Sequence, residues 1–270
     1  MGRWSLAYAV HQLKQTLSSF AKYSVIARGP IAGYLAINAQ TKQCEKITIQ
    51  ARGLLAEEYG YAHQKDTNVL AQAWHTFRKQ LYTSLEKQTY SYQSPLILFQ
   101  AVSPALKEYL IKTYGTLSGN ITIAQDDIPL TFTPEKKMCW RKQIRNQLNI
   151  NQDAYVYCYN GSAKPWQCPE KVIQFFTEKL HHNPQAILLI LSQDTNVFLS
   201  LIKKNNLSET HYRIAHVPHN EIFNYLASTD AGLLFREPHI INWISRPTKA
   251  LEYQAVQLKI IHNNTVAYLH

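Results

Sequence analysis

Short runs of β-branched and aliphatic residues alternate along the chain with longer segments whose apolar residues recur every three or four positions. The short runs predict strands and the longer amphipathic segments predict helices, an alternation typical of parallel α/β layering. The predicted strands are 24–28, 46–50, 96–100 and 120–124, followed by 154–159, 186–191, 211–216, 231–235 and 258–262. The predicted helices lie near 5–20, 30–40, 66–89 and 103–113, and then near 168–181, 196–204, 219–227 and 248–255.

An aperiodic segment separates the two series. Residues 125–134 contain two prolines and two acids, a composition that suits a linker. We therefore expect an α/β fold of two Rossmann-like domains, 1–134 and 135–270, with a ligand cleft facing the carboxyl ends of the strands. The first domain is expected to be incomplete, because only four strands precede the linker and the chain begins with a helix.

Composition narrows the class of protein. With 46% hydrophobic and 17% charged residues the chain is globular, which excludes a disordered tail or a coiled coil. Its apolar runs fall short of the ~18–20 residues that a membrane-spanning helix needs. No secretory signal is visible, so cytoplasmic residence is expected. The four cysteines have neither zinc-binding nor redox spacing and are expected to be reduced.

The net charge of +10 favours anionic partners such as phosphate, nucleic acid or a membrane surface. The basic residues are dispersed and form no nucleic-acid-binding motif, so nucleic acid is not expected to be a partner. The histidine pairs 181/182 and 216/219 have no further ligand at metal-binding spacing, and no metal site is expected.

The triplet Asn160-Gly161-Ser162 follows a predicted strand and precedes Lys164 and a predicted helix. Small residues at a strand end allow backbone N–H groups to approach a phosphate, and the following helix adds its positive end. An ordinary turn explains the same triplet, and both interpretations remain open at this point.

A second candidate is the segment 246–253. Pro247 and Thr248 are expected to start a helix, with Lys249 in its first turn and Glu252 three residues later near the same face. Backbone amides and an ammonium group suit a diphosphate, and a carboxylate one turn away suits sugar hydroxyls. The alternative is that Thr248 caps the helix and the charged groups are solvated; spacing alone does not separate the two.

The order of these segments resembles the donor-binding domain of the two-Rossmann (GT-B) glycosyltransferases, of the group 1 or family 4-like type. The matching segments are 159–162 with Trp166, 216–221, 225–236 and 246–253, while 25–28, 50–58 and 101–106 resemble the back portion of the acceptor domain. The resemblance covers nearly the whole chain. It indicates truncation at both ends, because the family's opening strands, glycine-rich acceptor loop and final helices have no counterpart.

The resemblance implies that Lys249 and the amides around it neutralise the donor diphosphate and that Glu252 binds the ribose. The implied donor-binding residues are Gly161, Ser162, Lys164, His219, Arg236, Thr248, Lys249 and Glu252. The acceptor-side candidates are Arg28, Arg52 and Glu57, for which surface ion pairing is the alternative. No catalytic residue is identified. Many relatives carry a second carboxylate eight positions before the ribose-binding one, and that position is Ile244 here.

The implied activity is that of a retaining-type hexosyltransferase of polysaccharide biosynthesis. It would transfer a sugar from a nucleotide-diphosphate sugar to a carbohydrate or lipid-linked acceptor, without a metal or another cofactor. Peripheral association with the inner membrane face is a further expectation. The alternative is a non-catalytic remnant or a donor-binding subunit, which would self-associate or need a complementing partner.

Two expectations concern surfaces. Trp74, Phe77, Leu81 and Leu85 share one face of the 66–89 helix, which we expect to be packed and not seated in a membrane. A parallel sheet without its first strands is expected to expose an unpaired edge and an apolar face, which invites association.

Overall fold

The computed structural model describes residues 3–125, 128 and 131–270. The chain forms two compact units. The first unit comprises the residues up to Gln125 together with His239–Arg246 and Val266–His270, and the second comprises Asp126–Pro238 and Pro247–Thr265. Two segments that the sequence assigns to the second domain therefore belong to the first unit. Within the predicted linker, residues 126, 127, 129 and 130 lie outside the described residues.

The described residues form two parallel sheets, and all nine predicted strands are present with ends within two residues of those expected. The first sheet has the order β1-β2-β3-β4, with β1 Tyr23–Arg28, β2 Cys44–Ala51, β3 Ile97–Ala101 and β4 Ile121–Ile123. The second sheet has the order β7-β6-β5-β8-β9, with β5 Val156–Asn160, β6 Ile187–Leu191, β7 Tyr212–Ala215, β8 Ala231–Leu234 and β9 Lys259–His262. The α/β class is thus confirmed.

The strands are joined by helices. In chain order these are α1 Arg3–Leu17, α2 Gly29–Ala39, α3 Leu55–His63, α4 Val69–Tyr90, α5 Pro104–Tyr114, α6 Pro134–Gln147, α7 Pro169–His182, α8 Thr195–Lys204, α9 Ile222–Ala227, α10 Ile240–Trp243 and α11 Thr248–Ala255. Three of them, α3, α6 and α10, were not predicted. The predicted helix at 219–227 begins as a 3-10 turn, His219–Glu221, before α9.

One face of the first sheet carries the core of its unit. Ala27, Ile47, Ile49 and Phe99 from the strands are buried together with residues of α2, α4 and α5. The opposite face is exposed or half-buried and consists of Ser24, Ile26, Arg28, Lys46, Thr48, Gln50, Leu98, Gln100 and Thr122. Its apolar members are Ile26 and Leu98, so the expectation of an exposed apolar face is wrong for this sheet. The outer edge of β1 is paired with no other strand of the described residues, as predicted.

Helix α4 also departs from the expectation. Of the four residues predicted to be packed, Leu85 is buried, whereas Trp74, Phe77 and Leu81 are each about half exposed. The face that α4 does bury includes Glu86, Thr89 and Tyr90. The apolar periodicity identified a real stripe on the helix, but that stripe does not lie in the core.

The second sheet has a fully buried inner strand, because all five residues of β6 are buried. The order of strand connection reverses between β5 and β8, which are adjacent in the sheet. In doubly wound folds such a reversal opens a crevice at the carboxyl ends of the two strands. A ligand site in this unit is therefore expected beside the ends of β5 and β8.

The amino ends of β5 and β8 are held together by Asp230. Its carboxylate accepts hydrogen bonds from the Val156 amide (2.7 Å), Arg145 Nη2 (2.9 Å) and Arg141 Nη2 (2.8 Å). Arg145 is fully buried and also donates to the carbonyl groups of Ser228 and Ala154, both at 2.8 Å. Helix α6 is thus anchored by two arginines, which explains why its sequence lacks an apolar period.

The amino end of helix α3 is capped by a buried carboxylate that belongs to another helix. Glu86 of α4 is fully buried and accepts hydrogen bonds from the Leu55 amide (2.6 Å) and the Tyr114 hydroxyl (2.9 Å). Burial raises the pKa of Glu86 from 4.5 to about 7, although these donors act in the opposite direction. A cap supplied from 31 residues away gives no local sequence signal, and this is why α3 was not predicted.

We predict that the free energy of unfolding falls as the pH rises from about 4.5 to about 7. The folded state holds the Glu86 proton more tightly than the unfolded state, so stability is greatest below the unfolded pKa and is lost through the folded one. The shift corresponds to about 3 kcal/mol at 1.36 kcal/mol for each pKa unit. Urea unfolding between pH 4 and 8 should show this decline in the wild type and a much smaller one in Glu86→Gln. The same slope in Glu86→Gln as in Glu108→Gln, a change at an exposed position, would contradict the assignment.

Candidate functional site

The turn after β5 brings the backbone close to a charged side chain. Gly161 has φ of 142° and donates its amide to the Leu191 carbonyl at 3.0 Å. A Cβ at this position would lie 2.7 Å from Lys249 Nζ and 2.9 Å from Gln167 Oε1. The conformation favours glycine, and a Cβ would also displace the ends of the Lys249 and Gln167 side chains. The Asn-Gly-Ser triplet is therefore more specialised than an ordinary turn.

Lys249, in the first turn of α11, is a buried cation with neutral partners. Its Nζ donates to Gln167 Oε1 at 2.6 Å and lies 4.2 Å from the centroid of the Tyr159 ring. Burial lowers the pKa of Lys249 well below its ordinary value, and the nearby Arg236 lowers it further, while Glu252 acts in the opposite direction. An anion at this position would offset the cost of burying the ammonium.

Glu252 is buried on the same helix, one turn after Lys249. Its Oε2 accepts a hydrogen bond from the side-chain Nδ2 of Asn160 at 2.6 Å. The backbone N–H of Asn160 donates to the Tyr253 hydroxyl at 3.1 Å. Burial raises the pKa of Glu252, and the neighbouring His219 and Lys249 counteract the increase. Asn160 thus ties the carboxyl end of β5 to α11.

The amino end of α11 is open. Pro247 occupies the N-cap position and no side chain of the described residues caps the helix, while Thr248 is exposed in the first turn. The alternative in which Thr248 caps the helix is therefore wrong. The first amides of a helix have no acceptor within the helix, and together with the helix dipole they favour an anion.

Arg236, just after β8, supplies a second cation. Its backbone is fixed by Asn263, which accepts from the Arg236 amide (3.1 Å) and donates to the Arg236 carbonyl (2.7 Å). Its side-chain Nε is buried and has no hydrogen-bond partner in the described structure. Burial lowers the pKa of Arg236. Buried donors in folded proteins are normally paired, so an unpaired one beside a buried lysine points to a ligand that completes the site.

A cavity of about 410 Å³ lies at the carboxyl ends of β5, β6 and β7. Its lining residues are Asn160, Gly161, Ser162, Lys164, Leu191, Ser192, Gln193, Asp194, His216, Val217 and Ile222. Asp194 holds the wall in place, because its Oδ2 accepts from the Ala163 amide at 2.7 Å. Ser192, Gln193 and Asp194 were not among the predicted residues. The sequence signal that could have identified them is their position directly after an apolar strand.

The donor-side candidates fall into three groups. Gly161, Ser162 and Lys164 line the cavity. Lys249, Glu252 and Arg236 are charged groups, and the pKa of Lys249 is lowered by Arg236 and raised by Glu252. Thr248 is exposed at the start of α11, and His219 is exposed in the 3-10 turn before α9, from where it affects the pKa of Glu252. Tyr159 and Gln167, which position Lys249, were missed because they act through contacts distant in sequence.

The acceptor-side candidates lie in the first unit. Arg28 ends β1 and Arg52 follows β2, and both side chains are exposed near the carboxyl edge of the sheet. Glu57, in α3, forms an ion pair with Lys79 at 2.9 Å. The observed contact of Glu57 therefore agrees with the alternative of surface ion pairing.

Metal-ligating side chains do not cluster in threes or more among the described residues. In that same part of the chain, no helix combines the length and the apolar character needed to cross a membrane.

No protein-family model matches the sequence, and no curated protein matches it. Solved structures do match. Sucrose-phosphate synthase from Thermosynechococcus elongatus superposes with a TM-score of 0.67 and 14% identity, covering 99% of this chain and 63% of that one. WaaG, a glycosyltransferase involved in lipopolysaccharide biosynthesis, gives a TM-score of 0.63 and 16% identity, covering 100% and 66%. Anabaena HepE in complex with UDP-glucose gives 0.63 and 13%, covering 96% and 64%.

The chain has the GT-B fold. The predicted fold class and the resemblance in architecture are thereby confirmed. The chain spans 63% to 66% of the length of these three structures.

We predict that Gly161→Ala lowers the free energy of unfolding by about 1–3 kcal/mol, because alanine is strained at φ of 142° and its Cβ would collide with Lys249. Urea denaturation measures the effect. Gly119→Ala is the matched control, since its Cβ meets nothing within 4 Å and its φ is ordinary. Equal stability changes in the two variants would show that the turn is not specialised.

Proposed function

We propose that this chain is a nucleotide-sugar glycosyltransferase whose second unit binds the donor. The observation that carries the proposal is the buried Lys249 ammonium, whose direct partners among the described residues are neutral and which lies near the Arg236 Nε, unpaired in the same part of the chain. The GT-B fold supports it, because the HepE structure contains UDP-glucose and that of starch synthase IV from Arabidopsis thaliana contains ADP and acarbose.

In this proposal the donor diphosphate accepts hydrogen bonds from Lys249, Arg236 and the first amides of α11. Two cations and a helix end balance the charge that develops on the leaving diphosphate, so the proposed reaction needs no metal. Gly161 and Ser162 approach the phosphates or the sugar because the glycine leaves room for close contact. Thr248 and Lys164, both exposed beside the site, contact the same groups from solvent.

The ribose is assigned to Glu252. Its carboxylate is fixed by Asn160 and is held in a desolvated position, where a hydrogen bond from a sugar hydroxyl is stronger than in water. His219 lies close enough to stabilise the ionised carboxylate. The base would occupy the 410 Å³ cavity near Val217. The acceptor, a carbohydrate or a lipid-linked sugar, is assigned to the first unit, with Arg28 and Arg52 as contacts.

We predict that UDP, GDP or their sugar derivatives stabilise the chain against heat, and that Lys249→Ala and Glu252→Ala each weaken binding about ten- to a hundredfold. One hydrogen bond to a charged group contributes roughly 1.5–3 kcal/mol, which gives this range. Titration calorimetry with each nucleotide measures the affinity. Lys203→Ala, at an exposed position of α8, is the control and should bind as the wild type does. Wild-type affinity in Glu252→Ala would refute the ribose assignment.

A second candidate function is donor binding without transfer. The position at which many GT-B relatives carry a second carboxylate is Ile244, and that side chain is buried in the core of the first unit. It supplies no acid or base. A subunit that binds the nucleotide sugar and needs a complementing chain to transfer it would fit this observation.

Donor turnover separates the two candidates. We expect release of UDP or GDP from the sugar nucleotide that binds best, measured with lipid extracts and oligosaccharides as acceptors. The proposal further expects that turnover persists in EDTA and is lost in Lys249→Ala. Tight binding with no turnover under any of these conditions would favour the donor-binding subunit, and loss of turnover in EDTA would overturn the metal-free reaction.

A further inference from the structure

Strands β5 and β8, which are neighbours in the second sheet, separate before they end. Among the described residues they are paired at two positions, Tyr157 with Ala231 and Cys158 with Gly232. Beyond these positions each strand continues beside its other neighbour, β5 along β6 to Asn160 and β8 along β9. The backbone groups that face the gap therefore have no partner within the described sheet, although buried backbone groups are normally hydrogen-bonded.

The Tyr253 hydroxyl lies in this gap. Tyr253 belongs to α11 and is fully buried. Its hydroxyl accepts a hydrogen bond from the backbone N–H of Asn160 in β5 at 3.1 Å. It donates to the Leu233 carbonyl of β8 at 3.3 Å or to the Cys158 carbonyl of β5 at 3.4 Å. Burial raises the pKa of Tyr253 well above its ordinary value, so the hydroxyl keeps its proton and both donates and accepts.

Gly232 of β8 leaves room for the Tyr253 ring. A Cβ at residue 232 would lie 2.5 Å from Cδ2 and 2.6 Å from Cε2 of the ring. The φ of Gly232 lies outside the left-handed region, so the close contact with the ring, and not the backbone conformation, favours glycine here. A ring is rigid and cannot bend away as the end of a flexible side chain does. A larger residue at 232 would therefore displace the ring and its hydroxyl.

The same hydrogen bonds reach the candidate donor site. Asn160 is held by two consecutive residues of α11, since its backbone N–H donates to Tyr253 and its side-chain Nδ2 donates to Glu252 Oε2 at 2.6 Å. Asn160 also lines the 410 Å³ cavity together with the next two residues, Gly161 and Ser162. Loss of the Tyr253 hydroxyl would free the end of β5, and with it the hydrogen-bond partner of Glu252.

We infer that Tyr253 is a positioning residue of the donor site, which holds the carboxyl ends of β5 and β8 apart and fixes Asn160 against Glu252. Ligands of doubly wound sheets bind in the crevice that opens where the strand order reverses, and the hydroxyl bridges the two strands at that point. All the residues involved belong to the second unit. The effect on donor affinity rests on the proposed function, whereas the effect on the strand ends does not.

The first test needs no ligand. Amide hydrogen exchange of the full chain, followed by NMR, should show slow exchange of the Asn160 N–H in the wild type. Exchange should be at least tenfold faster in Tyr253→Phe, which keeps the ring and loses the hydroxyl. Tyr225→Phe is the matched control, because it removes the hydroxyl of another buried tyrosine of the second unit, one that accepts from Gln147 Nε2 at 3.1 Å. It should leave the exchange of Asn160 unchanged.

Two results of this test would overturn the inference. One is rapid exchange of the Asn160 N–H in the wild type, a result that needs no variant to fold. The other is the same exchange rate in Tyr253→Phe as in the wild type.

The second test is titration calorimetry with UDP and GDP. Tyr253→Phe should bind about three- to tenfold more weakly than the wild type, as expected for the loss of one hydrogen bond between neutral groups, and Tyr225→Phe should bind as the wild type does. Because Tyr253 acts through the partner of Glu252, adding Tyr253→Phe to Glu252→Ala should weaken binding by less than about twofold. The same fold-change in both backgrounds, or wild-type affinity in Tyr253→Phe, would overturn the inference.

The two tests separate this inference from the proposed function. A wild-type chain that binds no nucleotide, but whose Asn160 exchange is accelerated by Tyr253→Phe, would refute donor binding and support the role of Tyr253 at the strand ends. Nucleotide binding with Asn160 exchange that Tyr253→Phe leaves unchanged would refute the inference and support donor binding.

Discussion

The burial of the Lys249 ammonium is the constraint on which the carboxyl edge of the second sheet depends. An ammonium group removed from water needs close partners, and here they are the Gln167 carbonyl oxygen and the Tyr159 ring. Tyr159 in turn donates to the Ser162 carbonyl at 2.7 Å and to Gln167 Oε1 at 3.0 Å. The turn after β5 approaches this cluster closely, and the positive φ of residue 161 favours glycine there.

Buried cations at the amino ends and at the carboxyl ends of the strands in the second sheet have different partners. At the amino edge Arg145 is paired with Asp230 and with four carbonyl groups, so its charge and its donors are satisfied within the chain. At the carboxyl edge Lys249 has neutral partners and Arg236 keeps a buried Nε without one. A fully satisfied cation stabilises the fold, whereas an incompletely satisfied one is suited to an anion from solution. The extent to which a buried cation is paired within the chain thus distinguishes a structural cluster from a candidate binding site.

The first unit shows a comparable division between its surfaces. One face of its sheet is packed, and the other is mostly polar and therefore compatible with water. The large exposed apolar residues of this unit are concentrated on its helices, above all on α4. Because the polar sheet face needs no cover, the apolar helix face is the stronger indication of a partner.

The sequence by itself determined the strands, their parallel α/β arrangement and the two candidate binding segments, 160–164 and 246–253. These features are local: a strand is specified by a short apolar run, Gly161 and Lys249 stand at recognisable ends of elements, and Glu252 follows Lys249 by three residues. Only the tertiary structure decided that Pro247 replaces Thr248 at the N-cap, that Glu86 caps α3, and that Asn160 and Gln167 hold the charged groups. The periodicity of α4 also predicted an apolar stripe without revealing its surroundings. The helical periodicity of apolar residues depends on neighbours three and four residues away. Burial, pKa and hydrogen-bond partners depend on groups that folding brings together from distant parts of the chain.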